Sequence, residues 1–168
     1  FHNSYDYHIN MNSIWLCMSL HIYHLIHYRK KVNIDDYIHH IPTLLVMSYP
    51  TIISGYDNAV IGHIVFYLCG LPGGIDYAML FCVRNDIMNS ITEKFINKQL
   101  NLYIRCPGAI ISTILLLIYY QYDDASYNIF NYYIVLLICM FTYLNGVYYS
   151  ERVISDYAYN YVAKYIKF

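Results

Sequence analysis

Residues 105–124 read RCPGAIISTILLLIYYQYDD. Arg105 opens this stretch, Asp123 and Asp124 close it, and nothing from Cys106 to Tyr122 is charged. An α-helix rises about 1.5 Å per residue and a hydrocarbon core is about 30 Å thick, so roughly 20 apolar residues cross it. The run 107–121 is short for that task, and Tyr119, Tyr120 and Tyr122 extend it into the interface, where tyrosine is favoured. As a span it has a basic end and an acidic end. The rest of the chain repeats that asymmetry. Four further apolar stretches lie outward from it, at about 11–28, 38–56, 59–83 and 129–149. All ten basic residues fall in three alternate segments between and after the stretches. They are Arg29, Lys30 and Lys31; then Arg84, Lys94, Lys98 and Arg105; then Arg152, Lys164 and Lys167. The start of the chain, the turn at 57–58 and the loop 122–128 hold Asp6, Asp57, Asp123 and Asp124, with no Lys or Arg. Short loops rich in Lys and Arg stay cytoplasmic during insertion. Five alternating spans satisfy that rule, with the C-terminus in the cytoplasm.

The expected fold is therefore all-α, a multi-span transmembrane helix bundle of about five spans forming one domain over 1–168. Composition agrees: 58% of residues are hydrophobic and 12% charged, against about 25% charged in an average soluble domain. The competing reading, a soluble all-α domain, would need 168 residues to bury long apolar helices on every side. A net charge of −1 gives no reason to expect a nucleic-acid partner. Twenty-three tyrosines read as compositional bias laid over an interfacial preference. The five cysteines include no CxxC pair and suggest neither a disulfide framework nor a metal site. The chain begins at Phe1 rather than Met and reads as a fragment.

Polar groups inside a bilayer are costly and face the protein interior or a wet cavity. The topology sorts them by depth. His24 lies near the cytoplasmic end of the first span. His39 and His40 lie in about the first turn of the second, entering from the same side. Asp76 and Asn145 lie near the cytoplasmic ends of the third and fifth. At 1.5 Å per residue all fall within roughly 10 Å of one boundary, a single polar layer. In His39-His40-Ile41-Pro42-Thr43, Thr43 is rotated about 40° from His39 and His40 about 100°. Thr43 thus sits between the imidazoles, one turn on, placed to orient a ring. A helix N-terminus disfavours imidazolium, so a neutral ring there can act as a general base. The bland alternative is a pair of interfacial histidines. His21, His24 and His27 share an arc of about 120°, fit for a pocket lining, for metal ligands, or for interfacial or interhelical hydrogen bonds. His63, near the outer end of the third span, reads as structural.

Gly70-Leu71-Pro72-Gly73-Gly74 interrupts the third span near its middle, and a discontinuous span is expected there. Freed carbonyls must face protein or water, and such breaks border binding sites in many transporters; close helix packing through small residues is the alternative. Pro42 is expected in the first turn of its helix, where proline is tolerated, and Pro50 to kink it. Residues 85–104 read as an amphipathic helix lying on the cytoplasmic face, with Pro107 and Gly108 marking re-entry.

These residues carry a resemblance. Ile22-Tyr23-His24-Leu25 through Asp36-Tyr37-Ile38-His39-His40-Ile41-Pro42-Thr43 resembles the span, basic loop and His-His-x-x-Thr signature of the TLC domain superfamily. That membrane domain is shared by ceramide synthases and translocation-associated membrane proteins. Asn101 to Pro107 is similar to the family's Asn…Arg-x-Pro start of a later span, and Tyr143 to Tyr149 to its closing Asn-x-x-Tyr helix. The resemblance runs from about His21 to Tyr157. It implies a barrel-like bundle around a lipid cavity, in the endoplasmic reticulum or another endomembrane, and, since the family's domain has more spans than the five read here, a single domain over 1–168 lacking one or more N-terminal spans. Carried over from the ceramide synthases, His39 and His40 would be the base and its partner in acyl transfer, with acyl-CoA as co-substrate and no resident cofactor. Two departures stand out. The family often has Asp where His24 stands, and the synthases' His-Asp pair is replaced around Cys69-Gly70.

Two functions follow. One is a lipid-handling enzyme of the acyltransferase type, with His24, Thr43, Gly70, Asp76, Arg105 and Asn145 around its substrate and Arg105 or Lys98 receiving acyl-CoA phosphates. The other is a non-catalytic protein that binds or senses membrane lipids and adjusts bilayer composition. A di-iron desaturase would want His-x-x-His-His clusters, which eight histidines here do not supply. A proton-coupled transporter would want a chain of intramembrane carboxylates. The oligomeric state is open.

Overall fold

Long apolar runs rich in Leu, Ile and Tyr satisfy their backbone hydrogen bonds within the segment as helices, and helices are what form. The computed structural model describes residues 12–27, 34–48, 59–122 and 129–165, and every regular element there is helical. In chain order these are α1 (Asn12–His27), α2 (Ile34–Pro42), α3 (Ala59–Val65), α4 (Leu71–Arg84), α5 (Ser90–Leu100), α6 (Cys106–Tyr122) and α7 (Ile129–Tyr165). Three π-helical segments, Thr43–Ser48, Phe66–Gly70 and Asn101–Arg105, join or extend them. Three helical runs are long and apolar enough to cross a bilayer: Val60–Arg84, Ser90–Tyr122 and Tyr132–Tyr165. The first two expected spans correspond to the 16-residue α1 and to the nine-residue α2 with its six-residue π-helical extension. The second continues past Ser48, outside the described residues. The start of the chain, the basic link 29–31 and the loop 123–128 also lie outside them.

The π-helical segments explain how the prolines are absorbed. Each ends two residues before a proline: Gly70 before Pro72, Arg105 before Pro107, and Ser48 before Pro50, the last outside the described residues. Proline has no N–H and its ring collides with the carbonyl four residues back. An i→i+5 register passes over the missing donor, as in Leu71 N–H to Phe66 O and Cys106 N–H to Asn101 O. Three expectations are corrected here. The third span is not interrupted at Gly70–Gly74, because the wider turn carries the helix through Pro72. The amphipathic stretch 85–104 is not separate from the next span, since α5, its π segment and α6 form one run of 33 residues. Pro42 is not in a first turn, because α2 starts at Ile34 and Pro42 is its last residue.

By backbone contacts the chain divides into two units, Phe1–Gly62 and His63–Phe168. In the first, α1 packs against α2 and its π-helical extension, with Ile14, Cys17, His21 and Thr43 buried. In the second, α6 packs along α7 and α5 packs along the tail of α7. The buried face of α6 runs Gly108, Ser112, Leu116 and Tyr120, a stripe at i+4 spacing, and meets Val135, Ile138, Cys139 and Thr142 of α7. Small residues set the approach. A Cβ added at Gly146 would lie 3.0 Å from Ala109 Cβ, and one at Gly108 would lie 2.1 Å from the Tyr67 ring. Close packing through Gly73 and Gly74, the alternative to a break there, does not occur: a Cβ at either would meet nothing within 4 Å. Meanwhile Ile111 and Ile114 of α6 and Met140 of α7 are at least half exposed, an apolar exterior suited to lipid.

The turn between α4 and α5 is tight. Ile87 N–H reaches Cys82 O and Asp86 N–H reaches Val83 O, while Asp86 takes a positive φ of 57°. This is the glycine-type helix stop, filled by Asp, one of the few side chains that tolerates it. Asn89 then caps α5, its side chain accepting from Ile91 N–H at 2.9 Å.

Candidate functional site

Two of the long runs change from apolar to charged at one level. No charge occurs from Cys106 to Tyr122 or from Ile129 to Ser150, whereas Arg105 and Glu151 sit immediately beyond. At that level, within the second unit, α4, α5 and α7 enclose a cavity of about 590 Å³, within the size range of ligand sites. Six charged side chains line it: Asp76 from α4, Glu93 and Lys94 from α5, Arg105, and Arg152 and Asp156 from α7. Asn97, Asn101 and Tyr149 complete its polar wall.

The polar groups order one another. Asn97 Nδ2 donates to Asp76 Oδ1 at 2.7 Å, tying α5 to α4. Asn101 Nδ2 donates to Asn97 Oδ1 at 2.7 Å and to Asn97 O at 2.9 Å. Arg105 Nη1 approaches Asn101 Oδ1 at 3.5 Å, and its guanidinium lies over the Tyr149 ring, 4.6 Å from the centroid. Its Nε is shut from solvent and has no hydrogen-bond partner among the described residues. Ser150 Oγ donates to Asn101 O at 3.4 Å, clipping α7 to the π-helical segment. Outside this ladder, Lys94 pairs with Asp156, and Lys98 Nζ lies 4.4 Å from the Tyr157 ring centroid and 5.0 Å from that of Phe95. Lys98 is thus engaged by aromatic faces and does not line the cavity.

The first unit holds a histidine cluster. His21 is buried and its Nδ1 lies 2.7 Å from Cys17 O. A carbonyl only accepts, so Nδ1 carries the proton of that ring. The His40 ring from α2 stands edge-on to His21 at 5.0 Å and to His24 at 5.3 Å. His40 therefore meets two imidazoles of α1. The side chain of His39 lies outside the described residues, and Thr43 is buried. His27 is exposed and stacks on Tyr23 at 5.0 Å. Among the described residues, neither unit by itself brings three metal-ligating atoms together.

His63 and Ser112 form a third polar contact, with Nδ1 2.7 Å from Oγ. It resembles a nucleophile with its base, but the protons run the wrong way. Ser112 Oγ donates to Gly108 O at 2.6 Å, so His63 must donate to Oγ and cannot take its proton. With Ser112 fully buried, this is a brace between helices.

The expected site residues therefore fall into two groups. His24 and His40 meet in the first unit. Asp76 and Arg105 share the cavity of the second, while Gly70 precedes it by two residues and Asn145 is buried one turn of α7 before Tyr149. Sequence reasoning passed over Glu93, Asn97, Tyr149, Arg152 and Asp156 as site residues. The available signal was spacing: Asn97, Asn101 and Arg105 recur at i+4, and Tyr149, Arg152 and Asp156 at i+3 and i+4, so each set marks one helical stripe. Compared with family models, curated proteins and solved structures, nothing matches this chain.

Proposed function

We propose that this chain is a multi-pass membrane protein that handles lipids, holding a lipid headgroup in the cavity between α4, α5 and α7. One observation carries the reading: a cavity walled by six charged side chains opens where long apolar helices turn polar. That is the depth at which a headgroup sits while its chains run along the apolar faces of α6 and α7. Five spans, a TLC-like bundle, an endomembrane location and a cytoplasmic C-terminus complete the proposal, resting on the charge alternation and the sequence resemblance. A non-catalytic role, binding lipid and adjusting bilayer composition, needs nothing further.

A second reading is favoured by the histidine cluster. His40 lies beside His21 and His24, as a proton-handling group would. In that reading His39 and His40 support acyl transfer from acyl-CoA to a lipid amine or alcohol.

Mass-spectrometric lipid profiling separates the two. Membranes expressing the chain are compared with empty membranes and with a His39→Ala/His40→Ala variant at matched expression. A remodelled profile common to both proteins is expected for the binding role. A product made by the wild type and lost in the variant would establish acyl transfer. Profiles indistinguishable from empty membranes in both cases would overturn lipid handling altogether.

A further inference from the structure

We propose that His21, His24 and His40 form a binding site for one divalent first-row metal ion, with zinc the ion of first choice. The inference stands apart from lipid handling: it concerns the first unit only, and either can fail without the other. Helix geometry supplies the frame. His21 and His24 are three residues apart on α1 and share a face, and α2 packs against α1. His40 of α2 meets both rings, its centroid 5.0 Å from that of His21 and 5.3 Å from that of His24. A pair at i and i+3 on one helix, completed from a facing helix, is a common way for bundles to build metal sites.

The separations fit a single ion. An imidazole nitrogen binds zinc at about 2.0–2.1 Å and the ring centre lies roughly 1.1 Å behind it, so each centre is about 3.2 Å from the ion. A tetrahedral angle then sets two centres about 5.2 Å apart. The two observed separations fall on either side of that value, with the rings inclined at 79° and 66° rather than stacked. Within the first unit the ligating nitrogens are not yet gathered among the described residues. The remaining step is rotation of planar rings about their Cβ–Cγ bonds, with the helices in place. His21 is already oriented. Its Nδ1–H donates to Cys17 O at 2.7 Å, so Nε2 carries the lone pair. Metal-binding histidines almost always make this second bond from the other ring nitrogen, which fixes tautomer and ring together. The ligand type selects the ion: neutral imidazoles suit zinc, copper or nickel, whereas magnesium and calcium take oxygen donors. His21 anchors the group at 3% exposure, and half-buried His24 and His40 keep it within reach. Three imidazoles leave the fourth tetrahedral place to water or another donor, the open form of a zinc site. A ring that ligates an ion has given up its lone pair, so metal at His40 excludes that ring as the base of an acyl transfer.

The test uses the full chain purified in detergent, stripped with a chelator and titrated with zinc, with cobalt as a spectroscopic stand-in. The expected result has three parts: one zinc retained per chain after gel filtration, a raised melting temperature, and, with cobalt, the intense visible absorption of a tetrahedral site. His24→Gln and His40→Gln should each raise the half-saturating zinc concentration about tenfold or more. His27→Gln, whose ring stacks on Tyr23, should leave it unchanged. His21→Gln should behave as the first two. Should that buried change fail to fold, His24→Gln and His40→Gln decide alone, their metal-free melting curves showing that they fold. Failure to retain stoichiometric zinc would overturn the inference, as would the weak spectrum of six-coordinate cobalt or displacement of zinc by magnesium. Binding that survives the three substitutions, or that is lost equally with His27→Gln, would place the ion elsewhere and overturn it too.

Discussion

A methyl group added to Gly108 would lie 2.1 Å from Cδ1 of Tyr67 and 2.3 Å from its Cγ, far inside contact distance, so the ring or the helix must move. Gly108→Ala should therefore lower the melting temperature, with an overpacking cost of about 1–3 kcal/mol. Adding the same change to Tyr67→Ala should cost almost nothing further, and a double-mutant cycle by thermal denaturation checks this. Gly74→Ala makes the contrast: its Cβ meets no atom within 4 Å, so relief of helix-interior glycine should stabilise by about 0.5–1 kcal/mol. Sequence alone ranks these glycines the other way, because Gly73-Gly74 beside Pro72 draws attention and a lone Gly108 does not. The site residues divide on the same ground. Asp76 and Arg105 are legible because the first charge interrupts an apolar run and the second borders one. Glu93, Asn97, Arg152 and Asp156 have polar neighbours in sequence, and only the packing of α5 on α7 brings them to one wall.

At the scale of the element, the π-helical segments do two jobs. They let prolines sit inside continuous helices, and they re-aim the side chains beside them, since one residue more per turn shifts what precedes by about 100°. Asn101 and Arg105, the two ends of one segment, both reach the cavity. Pro107→Ala restores the missing donor and allows an ordinary α register. The expected outcome is a lipid-free melting temperature that holds or rises, with weaker stabilisation by an added phospholipid. Melting curves with and without that lipid check it, and undiminished stabilisation would show that the segment's register does not matter to the site. Existence and length of the helices were legible from the apolar runs. Their continuity was not, because Pro72 and Pro107 read as stops unless the wider turn is known to carry the chain past them.

For the whole molecule the charge pattern makes the strongest claim. An odd number of spans would put the start of the chain and the C-terminus on opposite faces. With the native cysteines replaced, Asp6→Cys and Lys167→Cys should react with an impermeant maleimide from opposite sides of sealed membranes; labelling from one side would reject five spans. The tail of α7 was the part of the fold least visible in advance. Its residues after Ser150 are mixed in polarity and look like a loop, yet the helix runs 37 residues to Tyr165. It is held there by the Lys94–Asp156 pair and by Lys98 over Tyr157, contacts made with a segment more than fifty positions earlier. The π-helical turns also bear on changes of chain length. Each is a place where the chain carries one residue beyond what an α-helix needs. Deleting a residue from Asn101–Arg105 together with loss of Pro107 would leave a straighter helix and an intact fold while turning Arg105 away from Tyr149. A change of chain length at that position would thus be felt by the cavity before it was felt by the fold.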